Sequence, residues 1–352
     1  MAPAPRQSPA PLNRFRDGTA IPAHPLALDS RLRLDERRQR ALTRYYLDAG
    51  AGGIAVAVHT TQFAIHEPHR GLLRPVLELA ATTAAEHGDP GTVLVAGACG
   101  DTGQAVEEAE LAAGLGYHAV LLATYGAGAL SEDELVERAA AVGAVLPVIG
   151  FYLQPAVGGR SLSRGFWTRL ADLPSLLGIK VAPFDRYASL DVVLGVAASG
   201  RRADVALYTG NDDHIVGDLL STHPVDGGDA LEFVGGLLGQ WSVWTHSAVR
   251  LLKDARRARA GDHTAMRELL AVDSALTDAN GAIFDVASGF LGCVPGIHEV
   301  LRRQGLLEGL WCLEEKEVLS PGQLDEIDRI WRAYPQLRDD AFVAEHIDRW
   351  LS

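Results

Sequence analysis

Residues 146–152 read Leu-Pro-Val-Ile-Gly-Phe-Tyr, a nearly continuous apolar run, and residues 178–181 read Gly-Ile-Lys-Val, an apolar run that contains one charge. Short runs of this kind are typical of strands that are buried on both faces, as in a parallel sheet. Six further runs share the pattern and bring the number of predicted strands to eight: 18–23, 53–58, 92–97, 118–124, 204–209 and 240–245.

Amphipathic segments lie between the predicted strands. After the run at 92–97, Asp101 and Gln104 form a helix capping signature, and Gly114 and Gly116 close the helical pattern. Alternation of strand and helix implies parallel strands that are joined by helical crossovers. Eight such strands favour a closed (β/α)8 barrel. An open, doubly wound sheet is the alternative, but no Gly-x-Gly-x-x-Gly segment opens a helix after a strand.

The chain is predicted to have three parts. Residues 1–17, rich in Pro and Ala, are expected to be a disordered arm. Residues 18–246 are expected to form the barrel, with 222–229 as a loop before the last strand. Residues 247–352 have helical periodicity and almost no strand pattern, so they are expected to form helices that pack on the barrel.

Composition limits the classes of partner. The formal net charge of −13 argues against nucleic-acid or anionic-membrane partners, because both are bound mainly through clustered Lys and Arg side chains. No apolar stretch reaches the length of a membrane-spanning helix, and the first residues lack the apolar core of a signal peptide. Cys99, Cys293 and Cys312 are far apart in sequence and are interpreted as reduced core residues, which predicts a cytoplasmic protein.

Lys180 is the residue that most clearly indicates a catalytic function. Lysine is rarely buried in an apolar strand without a purpose, and burial lowers its pKa and frees the neutral amine. Such an amine can attack a carbonyl group and form a Schiff base. The alternative is a lysine at a strand end that reaches solvent or pairs with a carboxylate.

Tyr152 ends the predicted strand that precedes the lysine strand. Adjacent strands lie about 4.8 Å apart, so its hydroxyl is expected to reach the Lys180 nitrogen or a bound substrate and to transfer protons. The alternative is an aromatic residue that only packs at the edge of the core.

These segments, in this order and spacing, resemble the dihydrodipicolinate synthase / N-acetylneuraminate lyase family of class I aldolases. That family places its Schiff-base lysine in a segment similar to 178–180, and its catalytic tyrosine after a strand similar to 146–152 with a proline three residues later, as Pro155 is here. The resemblance covers roughly residues 18–335. Further similar segments are 21–23, 96–97 with Thr102, 208–212 and 307–311.

The resemblance implies a barrel with C-terminal helices, a homo-oligomer (tetramer or dimer), and no cofactor or metal. It implies a 2-oxo acid substrate, typically pyruvate, held as an imine on Lys180, with an aldehyde as the second substrate. Further residues at the strand ends are assigned to substrate binding: Thr60 and Thr61 to the carboxylate, and His59, Tyr125, Asn211 and His214 to the rest.

The sequence departs from the family pattern at several positions. The family's tyrosine pair after the fourth strand aligns with Gly126 and Ala127, with only Tyr125 nearby. The arginine that binds the synthase's second substrate aligns with Val157, and Arg160 lies three residues further on. These differences predict a lyase other than the lysine-biosynthesis synthase.

Two other functions stay open at this point. A metal-dependent barrel lyase or hydrolase would use histidines at strand ends and in the loop after the second strand. The candidate ligands are His59, His66, His69, His214 and His246. A catalytically inactive barrel that binds a 2-oxo acid is the second alternative, and the missing tyrosine pair motivates it.

Overall fold

A computed structural model describes residues 10–226 and 228–352. Eight parallel strands form a barrel, and each is followed by at least one helix. The barrel strands are β1 (Ala20–Pro22), β2 (Gly53–Val56), β3 (Val93–Ala98), β4 (Ala119–Leu122), β5 (Val148–Leu153), β6 (Leu176–Ala182), β7 (Ala206–Thr209) and β9 (Leu231–Leu238). A short strand, β8 (Thr222–His223), pairs antiparallel with β9. The predicted (β/α)8 class is confirmed.

Neighbouring strands pair in sequence order from β2 to β7, then β9 lies between β7 and β1. A parallel bridge from Ala23 to Ala55 brings β1 against β2 and closes the cylinder. Eight helices surround it: α2 (Glu36–Asp48), α3 (Leu73–His87), α4 (Thr102–Gly114), α5 (Glu132–Gly143), α6 (Arg164–Ala171), α7 (Arg186–Ala197), α8 (Ile215–Leu220) and α9 (Thr245–Arg259). The Asp101 side chain accepts a hydrogen bond from the Gln104 amide at the start of α4, as the capping signature predicts.

The barrel strands bury both of their faces. One set of side chains, such as Ile149 and Phe151 of β5, fills the cylinder. The alternate set, such as Val148 and Tyr152, packs between the sheet and the helices. This arrangement explains why the strands are apolar at nearly every position.

The eighth barrel strand lies earlier than predicted. It spans Leu231–Leu238, whereas the predicted run at 240–245 forms a single 3-10 turn and the start of α9. Gly235 and Gly236 look like strand breakers in sequence, but in the structure they allow neighbouring segments to pack closely against the strand. A Cβ atom on Gly235 would lie 2.4 Å from the Thr19 carbonyl oxygen, and one on Gly236 would lie 2.6 Å from the Trp241 ring. Glycine inside a strand often marks such a close approach.

The predicted disordered arm is wrong for residues 10–17, and residues 1–9 lie outside the described residues. The helix α1 (Ala10–Asp17) lies at the N-terminal end of the barrel. Its Phe15 is fully buried and stacks on Tyr208 with 4.4 Å between ring centres. The Tyr208 hydroxyl donates a 2.7 Å hydrogen bond to the Phe15 carbonyl oxygen. Burial of Phe15, together with that of Pro11, supplies the apolar contacts that fix this short polar helix.

The C-terminal part is helical, as predicted, and begins beyond α9, which belongs to the barrel and crosses the predicted boundary at 246. It comprises α10 (His263–Ile283), α11 (Cys293–Arg303), α12 (Gln323–Ala333) and α13 (Asp340–Trp350). The segment from the end of α10 into α11 lies over the C-terminal mouth of the barrel, where Phe284 and Ile297 line the same pocket as Lys180. No helix within the described ranges is long and apolar enough to cross a bilayer.

Candidate active site

A pocket opens at the C-terminal ends of the barrel strands, where (β/α)8 enzymes carry their active sites. The empty volume of the pocket, counted together with its opening to solvent, is about 510 Å3. Strand ends supply one side, and the C-terminal helices supply the other. Polar groups are few, and the side chains of Lys180, Asp212, His59 and Thr60 are among them.

Lys180 extends from β6 into this pocket. Its side chain is buried with 6% exposure, and its Nζ atom lies over the Phe151 ring. Burial lowers the pKa of Lys180 below its usual value, and the nearby carboxylate of Asp212 opposes this shift. Desolvation is the larger effect, so a neutral amine is accessible near physiological pH.

Asp212 is the anionic group of the pocket. It follows β7, and its Oδ1 accepts a 2.8 Å hydrogen bond from the Gln240 amide. Burial raises its pKa, and the Lys180 charge opposes the rise. Burial thus brings the pKa values of Lys180 and Asp212 closer together, whereas the attraction between the two charges favours the protonated lysine and the ionised carboxylate. The sequence interpretation did not single out Asp212, although it selected Asn211 and His214 from the same segment.

Gly210 makes room for the lysine. A Cβ atom at this position would lie 2.7 Å from Lys180 Cε and 3.1 Å from Lys180 Cγ. The side chain of Lys180 therefore lies directly against the backbone at the end of β7. Any larger residue at position 210 would force the lysine out of its present path.

His59 and the two threonines follow β2 in a 3-10 turn (His59–Thr61). His59 lines the pocket, and burial lowers its pKa to about 4, with a smaller contribution from the Lys180 charge, so its imidazole is neutral. Thr60 also lines the pocket, and its buried hydroxyl has no hydrogen-bond partner. The Thr61 hydroxyl is instead used structurally, since it donates a 2.6 Å hydrogen bond to the His24 carbonyl oxygen.

The structure does not bring Tyr152 to Lys180. The register of β5 and β6 pairs Phe151 with Lys180 and Tyr152 with Val181, so Tyr152 points toward the helices. Its ring centre lies 5.0 Å from that of Trp167, and its hydroxyl accepts a long 3.5 Å hydrogen bond from the Leu162 amide. The expected contact between the phenol and the amine is therefore corrected.

Three further predicted substrate-binding residues lie outside the pocket lining. Tyr125 is 41% exposed and stacks on Phe63 with ring centres 4.3 Å apart. The buried Asn211 amide group donates a 2.9 Å hydrogen bond to Asp218 Oδ2. The His214 ring lies over Gly217 within its own helical turn.

The histidines of the metal alternative are not gathered in one place. The exposed His69 lies 3.5 Å from Glu67, and His246 stacks on Phe342. His66 forms a 2.8 Å ion pair with Glu108, and these two residues with Cys99 are the one potential three-ligand cluster within the described part of the chain. Burial disfavours charge on His66, but its hydrogen bonds with Cys99 and Glu108 outweigh burial and raise its pKa to about 10.

A (β/α)8 barrel with a buried lysine at the C-terminal mouth is thus the class that the fold and the pocket define. Solved structures with a similar fold include dihydrodipicolinate synthase from Oceanobacillus iheyensis, with a TM-score of 0.72 and 18% identity over 92% of this chain and 99% of that one. The N-acetylneuraminate lyase from Fusobacterium nucleatum gives a TM-score of 0.70 and 16% identity over the same shares of the two chains.

Dihydrodipicolinate synthase from Aquifex aeolicus is another similar structure, with a TM-score of 0.72 and 17% identity over 92% of this chain and 99% of that one. No protein-family model and no curated protein sequence matches the chain. The structural likeness to these synthases and lyases, which the sequence resemblance predicted, is therefore confirmed for the fold. The chemistry has to be argued from the pocket itself.

Proposed function

We propose that this protein is a class I lyase that forms a Schiff base between Lys180 and a 2-oxo acid such as pyruvate. The observation that carries the proposal is the position of Lys180, a desolvated amine inside a pocket at the C-terminal mouth of the barrel. A lysine held in this way is activated as a nucleophile because burial disfavours its protonated form.

The first step is attack of neutral Nζ on the ketone carbon, which gives a carbinolamine. One proton of the amine moves to the former carbonyl oxygen, and a second proton from the acid form of Asp212 lets this oxygen leave as water, which yields a protonated imine. The imine draws electrons from the adjacent carbon, so a carbon–carbon bond at that carbon can be broken or formed. Hydrolysis then returns the amine and the product.

Two groups support these steps in the proposal. The Thr60 hydroxyl has no partner in the protein and lines the pocket, so it is available to donate a hydrogen bond to the substrate carboxylate. Asp212 lines the same pocket as Lys180 and has a raised pKa, which suits a group that accepts and returns protons near neutral pH. Tyr152 has no part in this scheme because its hydroxyl faces the helices.

The pocket also favours a lyase other than the lysine-biosynthesis synthase. Val157 lines it at the position where the synthase carries its substrate-binding arginine. The nearby Arg160 does not replace that arginine, since its guanidinium donates a 2.6 Å hydrogen bond to the Leu130 carbonyl oxygen.

Borohydride reduction in the presence of pyruvate tests the Schiff base. Reduction should add a stable pyruvate-derived mass to the peptide that contains Lys180. Lys253 and Lys316, the other lysines of the chain, are internal controls and should stay unmodified. The variant Lys180→Met should lose the adduct while keeping its circular dichroism spectrum. Absence of an adduct at Lys180, or equal labelling of all three lysines, would rule the function out.

Turnover separates the lyase from the inactive binding barrel. A lyase should release pyruvate from 4-hydroxy-2-oxo acids or condense pyruvate with an aldehyde. Labelling of Lys180 without turnover of any such compound would favour the binding barrel instead.

A further inference from the structure

The wall of the pocket beyond the lysine is mostly apolar and includes four phenylalanines. Its larger apolar side chains include Phe151, Phe184, Phe284, Phe290, Ile297 and Val157, and Gln154 adds one neutral polar group. Such a wall favours a ligand with an apolar, uncharged body.

Two of these phenylalanines are held in an uncommon backbone conformation. Phe184 and Phe290 have φ angles of 54° and 70°, in the left-handed region that bulky residues seldom adopt. Their rings meet edge to face with 5.6 Å between centres. Asn211 fixes one of them, because its Oδ1 accepts a 3.1 Å hydrogen bond from the Phe184 amide. Backbone strain of this kind persists where the surrounding structure holds it and is concentrated at ligand sites.

Charged groups are nearly absent from the same pocket. Among its described lining residues, Lys180 is the one cation and Asp212 the one anion. His59 is neutral because burial lowers its pKa to about 4. Once Lys180 is consumed in an imine, a second carboxylate or a phosphate would have no other basic side chain to pair with in the pocket.

On the basis of the proposed Schiff-base function, we propose that the second carbonyl substrate is an uncharged aromatic aldehyde whose ring packs on Phe184 and Phe290. In the synthetic direction, the carbon next to the imine loses a proton to Asp212, and the resulting enamine attacks the aldehyde carbon and forms the new carbon–carbon bond. The aldehyde oxygen takes a proton and becomes a hydroxyl group. Water then hydrolyses the imine and releases a 4-aryl-4-hydroxy-2-oxo acid together with the free amine.

A comparison of two isosteric aldehydes tests the charge requirement. 4-Formylbenzamide and 4-formylbenzoate share shape and differ in charge. With pyruvate as the first substrate, kcat/KM for the amide should exceed that for the carboxylate by about tenfold or more, since a buried unpaired charge is strongly disfavoured. Benzaldehyde should also be preferred over the polar aliphatic glyceraldehyde.

A substitution at Val157 tests the same point from the protein side. Val157→Arg adds a cation to the pocket wall, and Val157→Gln adds a polar side chain without charge. Val157→Arg should raise the ratio of kcat/KM for 4-formylbenzoate over 4-formylbenzamide by about tenfold, whereas Val157→Gln should leave the ratio near its original value.

Pyruvate labelling of Lys180 separates failure of this inference from failure of the proposed function. If the lysine is labelled but 4-formylbenzoate or glyceraldehyde is preferred, the aromatic-aldehyde inference is overturned and the Schiff-base lyase stands. Equal changes in the two Val157 variants would also contradict it. If the lysine is not labelled, both proposals fall.

Discussion

The Nζ atom of Lys180 lies 4.4 Å from the ring centre of Phe151, its register partner on the adjacent strand. Both side chains point into the cylinder, because alternate residues of a strand face opposite sides of the sheet. The amine therefore meets an aromatic face and apolar surroundings instead of a phenol. Burial among these side chains is the largest influence on the pKa of Lys180 and lowers it.

The rate of imine formation should follow the ionisation of this amine. Burial lowers the pKa of Lys180 to about 8, although the Asp212 charge opposes the shift. Only the neutral amine attacks a ketone, so the rate should rise about tenfold per pH unit well below pH 8 and level off above it. Initial rates of borohydride trapping with pyruvate, measured from pH 5 to 10, provide the check. A rate that still rises steeply between pH 9 and 10 would mean that the lysine is not desolvated.

The Asp212 charge should set the position of that inflection. Because the carboxylate raises the pKa of Lys180, the variant Asp212→Asn should shift the inflection to lower pH. Asp254→Asn is a control, since it removes the same charge from α9, where Asp254 pairs with Arg257 at 3.0 Å. The control profile should overlay that of the original protein. A shift to higher pH in Asp212→Asn would contradict the assigned interaction.

Gly210 should be as intolerant of substitution as a residue that touches substrate. In Gly210→Ala the new methyl group would lie 2.7 Å from Lys180 Cε, so the lysine has to leave its path. We expect a loss of at least about 10²-fold in imine formation, because small displacements of a reacting group are costly. Trapping rates and thermal unfolding should be measured together.

Gly281→Ala provides the matched control. Gly281 lies in α10, and a Cβ atom there meets nothing within 4 Å. This variant should keep its trapping rate and gain up to about 1 kcal/mol of stability, since alanine is favoured over glycine in helices. Equal loss of imine formation in both variants would show that the effect of Gly210→Ala is a general one.

The fold could be predicted from sequence better than the directions of its side chains. Apolar runs separated by amphipathic segments are enough to identify a parallel barrel, because both faces of each strand are buried. The same property hides which residues face inward, since no polar alternation marks the two faces. For this reason the sequence does not distinguish the direction of Phe151 from that of Tyr152. Asn211 and Asp212 lie in the loop after β7, where no strand alternation indicates which of the two faces the pocket.

Other parts of the structure depend on contacts between distant segments. The glycines of β9 are explained by Thr19 and Trp241, which approach them closely, and α1 is held by the burial of Phe15. Phe284 and Phe290 reach the pocket only because the C-terminal helices fold over the barrel mouth. No local sequence pattern indicates which distant segments come into contact in the fold.

The two threonines after β2 should respond differently to the same substitution. The Thr60 hydroxyl is buried without a partner, so Thr60→Val should leave thermal stability unchanged or slightly increased. It should weaken binding of the 2-oxo acid, with an increase of about tenfold in KM for pyruvate. A stable variant with unchanged KM would mean that Thr60 does not contact the substrate.

Thr61→Val is expected to act on folding instead. The Thr61 hydroxyl donates to the His24 carbonyl oxygen at 2.6 Å and accepts from the Val58 amide at 3.2 Å. Its loss leaves two buried backbone groups without partners, which should lower the free energy of unfolding by about 1–3 kcal/mol. Chemical denaturation measures this difference. Equal stability of the two valine variants would refute the distinction.

Tyr152→Phe decides whether the phenol takes part in catalysis. In the structure its hydroxyl faces the helix layer and accepts only the 3.5 Å hydrogen bond from Leu162, so its removal should change kcat by less than about threefold. Loss of an acid–base group typically lowers the rate by about 10²–10⁴-fold. A decrease of that size, with the Lys180 adduct still formed, would return Tyr152 to the mechanism and require the end of β5 to rotate when substrate binds. Unchanged kcat would leave Asp212, the carboxylate that shares the pocket with the amine, as the group that moves protons.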